Sequence, residues 1–323
     1  MCTSLTMFTG GAYAGRTLDL EYDFGQEVVI TPRSHKLTFR HLPPLEEHYA
    51  MIGMAHVAGD QALYAEAANE KGVYLAGLNF PGSACYPCPG TGAQVAPYEL
   101  FWWLLGSCAT AGEAVEKLKG AHIVDEPFQP DLPLAPLHWH LADAKESFVV
   151  EPMADGLHIY PDPVGVLTNE PPYPFQRTNL RRYLNLTARS PECRFASDLE
   201  LAPYGQGMGA MGLPGDASPS SRYVRAAFHR HNSCCGEEVG SAVAQFFRVL
   251  DSVAMVRGSV LTPQGQPDYT RYASCIDLAA GDYYFRGYED SGICLVHMRQ
   301  QERQGRQLLR FPVERMWAPH SLN

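Results

Sequence analysis

A cysteine stands directly behind the first methionine in the opening stretch "MCTSLTMFTGGAYAGRTLDLEYDFG". A side chain as small as Cys at position 2 permits removal of that methionine, which leaves Cys2 with a thiol and an α-amine on one residue. Reference pKa values lie at about 8.5 for the thiol and about 7.7 to 8.0 for the amine, so near neutral pH the amine takes the thiol proton at little cost. Such a residue is a nucleophile carrying its own base. Taken alone, a Met-Cys start is more often a frayed terminus. Thiol catalysis also needs a cation to steady the thiolate, an acid to hold the amine, and donors aimed at the oxygen that turns negative in the tetrahedral intermediate. Arg16 and Asp19 fit the first two positions if the chain folds back after "TGG"; read locally, an Arg and an Asp three apart form a surface ion pair.

Other motifs carry less. "GMGAMG" at 207–212 satisfies GxGxxG, yet no apolar strand precedes it and Pro214 and Gly215 follow, so a close-approach loop is expected there and not a dinucleotide site. "CYPC" at 85–88 has redox or zinc spacing but lacks a second CxxC or a spaced His pair, and "CC" at 234–235 is read as incidental. "HWH" at 138–140 puts two imidazoles on one face of a strand with no third ligand in view, which favours satisfied core histidines. No metal and no cofactor is expected. GxSxG and HExxH are absent.

The elements that must position Cys2, Arg16 and Asp19 begin with a hairpin. "TSLTMF" and "AYAGRTL" form its arms, with Gly10 and Gly11 in the turn. Leu18, Leu20, Tyr22 and Phe24 then alternate with Asp19, Glu21 and Asp23, a strand pattern whose apolar face reads as core. "PYELFWWLLG" and "TAGEAVEKLKG" are expected as consecutive helices, with Thr110 capping the second. Strands follow at "LHWHLAD", "SFVVEPM" and "LHIYPD", then helices at "SPSSRYVRAAFHRH" and "EEVGSAVAQFFRVLDSVAMV", then strands at "RYASCIDL", "DYYFRGYE" and "ICLVHM". Blocks in this order imply an α+β fold in which sheets pack together under helices.

The 323 residues are 46% hydrophobic and 19% charged, a globular balance, and the net charge of -10 excludes the basic stripe of a nucleic-acid binder. The longest strongly apolar run, "LFWWLL", is too short to cross a membrane. No signal peptide is evident, and nine scattered cysteines suggest reduced thiols in a cytoplasm.

Six ordered segments narrow the choice: the "MCT" start, "GRTLDLEY", "GLNFPG" at 77–82, "GVLTNEP" at 165–171, "GLPGDASPSSRYVRA" at 212–226 and "VAMVRGS" at 253–259. Together they resemble the choloylglycine hydrolase family, the bile salt hydrolases and penicillin V acylases among the N-terminal nucleophile hydrolases. The likeness runs from the first residue to the "YASC" and "YYF" strands, implying one domain over 1–323 with Met1 removed.

The resemblance implies an αββα four-layer sandwich, Cys2 as nucleophile with its freed amine as proton shuttle, Arg16 beside the thiolate and Asp19 beside the amine. Asn79 and Asn169 match the oxyanion-hole positions, and Arg222 matches the arginine supporting the charge network. Asn at position 79, where penicillin V acylases carry Tyr, points to the bile salt branch. Leu18, Leu20, Tyr22 and Phe24 fall where the family lines its acyl pocket, with Phe128 and Leu132 in the loop capping it. The implied substrates are glycine- or taurine-conjugated bile acids, with "GQGMGAMG" leaning to glycine, and the implied assembly is a homotetramer. The alternatives are an acylase of the same chemistry acting on penicillin V or another N-acyl amide, and a non-catalytic thiol protein that keeps Met1.

Overall fold

The computed structural model describes residues 1–130, 132, 134–290, 292–313, 316–318 and 321–322. The first strands are β1 (Cys2–Met7), β2 (Tyr13–Leu20), β3 (Glu27–Thr31), β4 (Met51–Ala58), β5 (Gln61–Asn69) and β6 (Tyr74–Asn79). Short β7 (Ala93–Val95) and β8 (Ala121–Ile123) flank α1 (Ala111–Leu118), and β9 (Leu137–Ala142), β10 (Ser147–Met153), β11 (Gly156–Pro161) and β12 (Val166–Leu167) follow. Helices α2 (Tyr173–Asn179), α3 (Pro219–Asn232) and α4 (Val239–Asp251) precede β13 (Tyr269–Asp277), β14 (Asp282–Gly287), β15 (Cys294–His297) and β16 (Leu309–Pro312).

Two large sheets result. One has six strands in the order β12-β1-β2-β13-β14-β15, the other eight in the order β11-β10-β9-β6-β5-β4-β3-β16. They meet face to face where β1 and β2 lie over β6; α3 and α4 cover the outer face of the first sheet, while residues 97–105 cover the second. This is an αββα sandwich. One apolar cluster fills the space between the sheets and beneath α3 and α4, and a second sits under residues 97–105 and α1. Among the described residues no helix is long and apolar enough to cross a membrane.

The opening hairpin forms as its sequence predicts, because Gly10 and Gly11 adopt φ of 72° and 146°, which L side chains rarely reach. Thr110 caps α1 by accepting from the Glu113 N–H at 3.1 Å. Two local expectations are corrected. Strand alternation stops at Leu20, and Tyr22 and Phe24 lie in the loop that follows. "PYELFWWLLG" is helical as expected, a 3-10 turn followed by a π-helix, and all five residues of Phe101–Leu105 are buried; a segment apolar on every side carries no periodicity from which its helix type can be read. Helix α4 ends at Asp251, short of "SVAMV".

The motifs set aside are structural. His138 and His140 are fully buried: His138 bonds to Glu151 and the Thr168 carbonyl and stacks on Phe80 at 4.2 Å, while His140 bonds to Ser4 and Ser147. Residues 208–210 form a 3-10 turn after Gly207 in the left-handed region. A Cβ on Gly209 would lie 2.0 Å from the Arg189 carbonyl, so this is the close-approach loop expected. Cys85 and Cys88 are exposed free thiols, and no metal-binding cluster occurs among the described residues.

Candidate active site

The register of the hairpin sets the geometry. Cys2 pairs with Leu18 and Ser4 with Arg16, so Cys2 and Arg16 are diagonal neighbours on the face turned to the second sheet. Strand alternation sends Asp19 to the opposite face, under α3. Register slips in β13 between Thr270 and Tyr272, so Thr270 and not Arg271 lies opposite Asp19. The Thr270 hydroxyl then donates to Asp19 Oδ1 at 2.6 Å.

Arg16 reaches across the gap between the sheets and donates to the carbonyls of Gly77 (2.5 Å) and Ala65 (3.1 Å), with Glu66 at 3.9 Å. Burial works against its charge, but the neighbouring acidic groups, Cys2 first and then Tyr272 and Glu66, outweigh that and hold its pKa up. Glu66 is itself fully buried and accepts from Tyr272 (2.7 Å), Ser274 (2.9 Å) and Tyr283 (2.5 Å). Burial raises its carboxyl, with Arg16 and these hydroxyls opposing.

Arg222 lies in the first turn of α3, whose Pro219 starts the helix, and the helix directs it down onto β1. Its guanidinium donates to the Cys2 carbonyl (2.5 Å), the Thr3 hydroxyl (2.6 Å), Asn169 Oδ1 (2.7 Å) and the Ala217 carbonyl (3.0 Å), and it stands 4.0 Å from Asp19. Burial disfavours both ions: it raises the Asp19 carboxyl against the pull of Arg222, and lowers Arg222 against the pull of Asp19 and Cys2. Arg222 remains a cation, because a guanidinium is not deprotonated in proteins.

Asn169 ties these parts together. Its Oδ1 accepts from the Cys2 N–H at 2.9 Å as well as from Arg222, and its Nδ2 donates to the Asn79 carbonyl at 2.7 Å. The next residue, Glu170, accepts from the Gly82 N–H and the Ser83 hydroxyl, so the segments carrying Asn79 and Asn169 are clamped side by side. The chain carries Met1, whose amine donates to the Asp19 carbonyl at 2.7 Å and whose carbonyl accepts from the Asp19 N–H at 2.8 Å.

Cys2, Arg16, Asp19, Asn79, Asn169 and Arg222 are thus gathered in one place. The arrangement can hold a thiolate beside a fixed cation. The chain resolves the remaining ambiguity by its relatives. The sequence profile described as linear amide C–N hydrolases, choloylglycine hydrolase family, matches residues 2–309. The chain belongs to the choloylglycine hydrolase family. It is an enzyme of linear amide C–N hydrolysis. It is 40% identical over 314 residues to a bile salt hydrolase/transferase of Lactiplantibacillus plantarum, 97% of each chain being covered. It is 36% identical to a conjugated bile acid hydrolase of Lactobacillus acidophilus, over 90% of this chain and 93% of that one. A mutant conjugated bile acid hydrolase from Clostridium perfringens has the same fold throughout, with a TM-score of 0.91 at 33% identity and both chains fully covered. A penicillin V acylase from Agrobacterium tumefaciens shares the fold at a TM-score of 0.76 and 21% identity, over 96% of this chain and 90% of that one.

The six residues expected to line the acyl pocket are less united. Leu18 is buried in the cluster that holds Cys2, and Leu20 and Phe24 pack against it. Tyr22 is 56% exposed and Leu132 45% exposed. Phe128 packs against the second cluster, edge-on to Tyr98 at 5.3 Å. Sequence reading missed Glu66, Thr270 and Asp268, whose Oδ2 lies 3.4 Å from the Met1 amine. Glu66 had a signal, a lone carboxylate inside the small apolar run "YAEAA"; Thr270 and Asp268 had none.

Proposed function

We propose that this family member is a bile salt hydrolase that cleaves the amide joining a bile acid to glycine or taurine. The observation that carries the reading is the network centred on Asn169, which joins Cys2, Arg222 and Asn79 through one amide. With Met1 removed, the Cys2 thiolate, steadied by Arg16, attacks the carbonyl. Asn79 and Asn169 bind the oxyanion; the Asn169 amide has two N–H groups, and the Asn79 carbonyl takes one. The Cys2 amine, held by Asp19 with Arg222 balancing the charge, protonates the departing nitrogen, and water then hydrolyses the thioester.

Full-length relatives named as bile salt and conjugated bile acid hydrolases support this substrate class, as does Asn at position 79. Leu18, Leu20, Tyr22 and Phe24, with Phe128 and Leu132 from the capping loop, line the acyl pocket in this reading, where an apolar wall desolvates the steroid. Tyr22 and Leu132 then become buried on binding. No cofactor takes part. A homotetramer accounts for the exposed Leu184, Phe195, Leu201, Tyr204 and Met211 along one irregular segment. Free cysteines agree with a cytoplasmic location.

The test is release of cholate from glycocholate and taurocholate by reduced protein whose mass shows Met1 to be absent. Turnover, faster with glycocholate, is the expected result. Turnover of penicillin V or another N-acyl amide in place of both bile salts would assign the chain to the acylase branch.

A further inference from the structure

We propose that His138 is a positioning residue for the oxyanion hole: one buried imidazole holds Asn79 through Phe80 and Asn169 through Thr168. The inference rests on the oxyanion role given to these two asparagines in the proposed reaction.

The two asparagines arrive from different sheets. Asn79 ends β6 of the eight-stranded sheet, and Asn169 follows β12 of the six-stranded one. Something must fix the distance between them. His138 lies on β9, opposite Leu78 in the register that sets Leu137 opposite Asn79. Its side chain is fully buried. One ring face stacks on Phe80, the residue after Asn79, with centroids 4.2 Å apart and planes 8° from parallel. Its Nε2 donates to the carbonyl of Thr168, the residue before Asn169, at 3.0 Å. The ring is therefore a strut from the second sheet to the first, with one contact on the neighbour of each asparagine.

The strut is itself held. Glu151, fully buried on β10, stands 3.1 Å from His138 Nδ1 and accepts from the Tyr173 N–H at 2.9 Å, so it also grips the chain downstream of Asn169. Both partners of the ring are acceptors, whereas a neutral imidazole has one N–H. His138 and Glu151 hold two protons between them, one on Nε2 and one between Nδ1 and Oε1. The Thr168 hydroxyl donates to the Pro219 carbonyl at 3.0 Å, which links the same residue to the first turn of α3 and to Arg222. Oxyanion donors work only at their proper distance from the charged oxygen, and a misplacement of about 1 Å costs about 100-fold in rate.

The experiment compares two variants of mature protein lacking Met1. In His138→Gln the amide nitrogen takes the place of Nε2 and can still donate to Thr168. In His138→Asn it takes the place of Nδ1 and reaches only Glu151. Both lose the ring and should be less stable in urea. With glycocholate, His138→Asn should lose about 10- to 100-fold in kcat at a KM within about twofold of wild type, and His138→Gln should keep kcat within about fivefold. A purely structural role lowers both urea midpoints and spares kcat. A folded His138→Asn enzyme within about threefold of wild-type kcat, or a His138→Gln enzyme equally slow, overturns the role. Phe80→Leu removes the stacked ring but leaves both histidine hydrogen bonds, and should lower kcat about 3- to 10-fold at unchanged KM; it decides the matter if the histidine variants do not fold, and an unchanged kcat there overturns the proposal. A wild-type protein that cleaves another N-acyl amide and no bile salt refutes the substrate assignment alone, and the same comparison is then made on that amide, whose oxyanion needs the same hole.

Discussion

Asn169 offers a prediction in which rate and stability separate. Its side chain accepts from the Cys2 N–H at 2.9 Å and from Arg222 at 2.7 Å, and donates to the Asn79 carbonyl at 2.7 Å. Asn169→Ala deprives all three partners of a bond. Unsatisfied buried groups cost about 1–3 kcal/mol each, and water can reach the half-buried Asn79 side, so a loss of about 3 kcal/mol in stability is expected. One oxyanion donor is worth about 100- to 1,000-fold in kcat. Asn169→Asp has the same shape and keeps the acceptor for Cys2 and Arg222, gaining charge beside a guanidinium, but replaces the donor with an oxygen that faces the Asn79 carbonyl. It should lose about 100-fold or more in kcat while its urea midpoint stays closer to wild type than that of the alanine variant. Because the interaction forms only in the transition state, kcat and kcat/KM should fall together with little change in KM. Bile acid release measured by chromatography, alongside urea titrations, supplies both quantities. A folded Asn169→Asp enzyme within tenfold of wild-type kcat would remove Asn169 from the oxyanion role.

Three further outcomes are expected. Cys2→Ser keeps the geometry but offers a hydroxyl that scarcely ionises, so turnover should be almost abolished, and a burst-free wild-type rate in that variant refutes the nucleophile. Arg222→Lys keeps one positive charge but cannot match a planar fork that serves the Cys2 carbonyl, Thr3, Asn169 and Ala217 together. A stability loss of about 2 kcal/mol or more, read from urea midpoints, and at least tenfold lower kcat/KM are expected; unchanged values would show the fork to be dispensable. For pH, burial alone would raise the Asp162 carboxyl, but His140, the Tyr173 hydroxyl and backbone N–H groups outweigh it and hold the pKa below the ordinary value of 3.8. A depressed carboxyl contributes stability that is fully present above its unfolded pKa and is lost as pH falls through the folded one. Asp162→Asn should therefore be less stable at pH 7, with a gap that narrows below about pH 4, and a gap independent of pH contradicts the reasoning.

Much of the architecture was legible because its signals are local. The hairpin followed from two glycines between apolar arms, and the later strands from their alternation. The type of the first helix was not legible because five consecutive buried residues, Phe101–Leu105, give no polar face to count from. The strand after the hairpin was carried too far because Tyr22 and Phe24 continue an alternation that the backbone abandons at Leu20. The parts of the site recognised beforehand were those within quoted segments, Cys2, Arg16, Asp19, Asn79, Asn169 and Arg222. Glu66 stood in no such segment, and its three hydroxyl partners lie on strands more than 200 residues away.

The sequence by itself determined the opening hairpin and that a nucleophile with its own base can arise at Cys2, since both depend on neighbours along the chain. The tertiary structure alone decided what surrounds that residue. Thr270 reaches Asp19 across 251 positions, and only because a bulge in β13 shifts the register by one; Arg222 reaches the Cys2 carbonyl across 220. Contacts of that span arise when two sheets and a helix bury a shared core, and burial then fixes the hydrogen-bond partners of every polar group caught inside it.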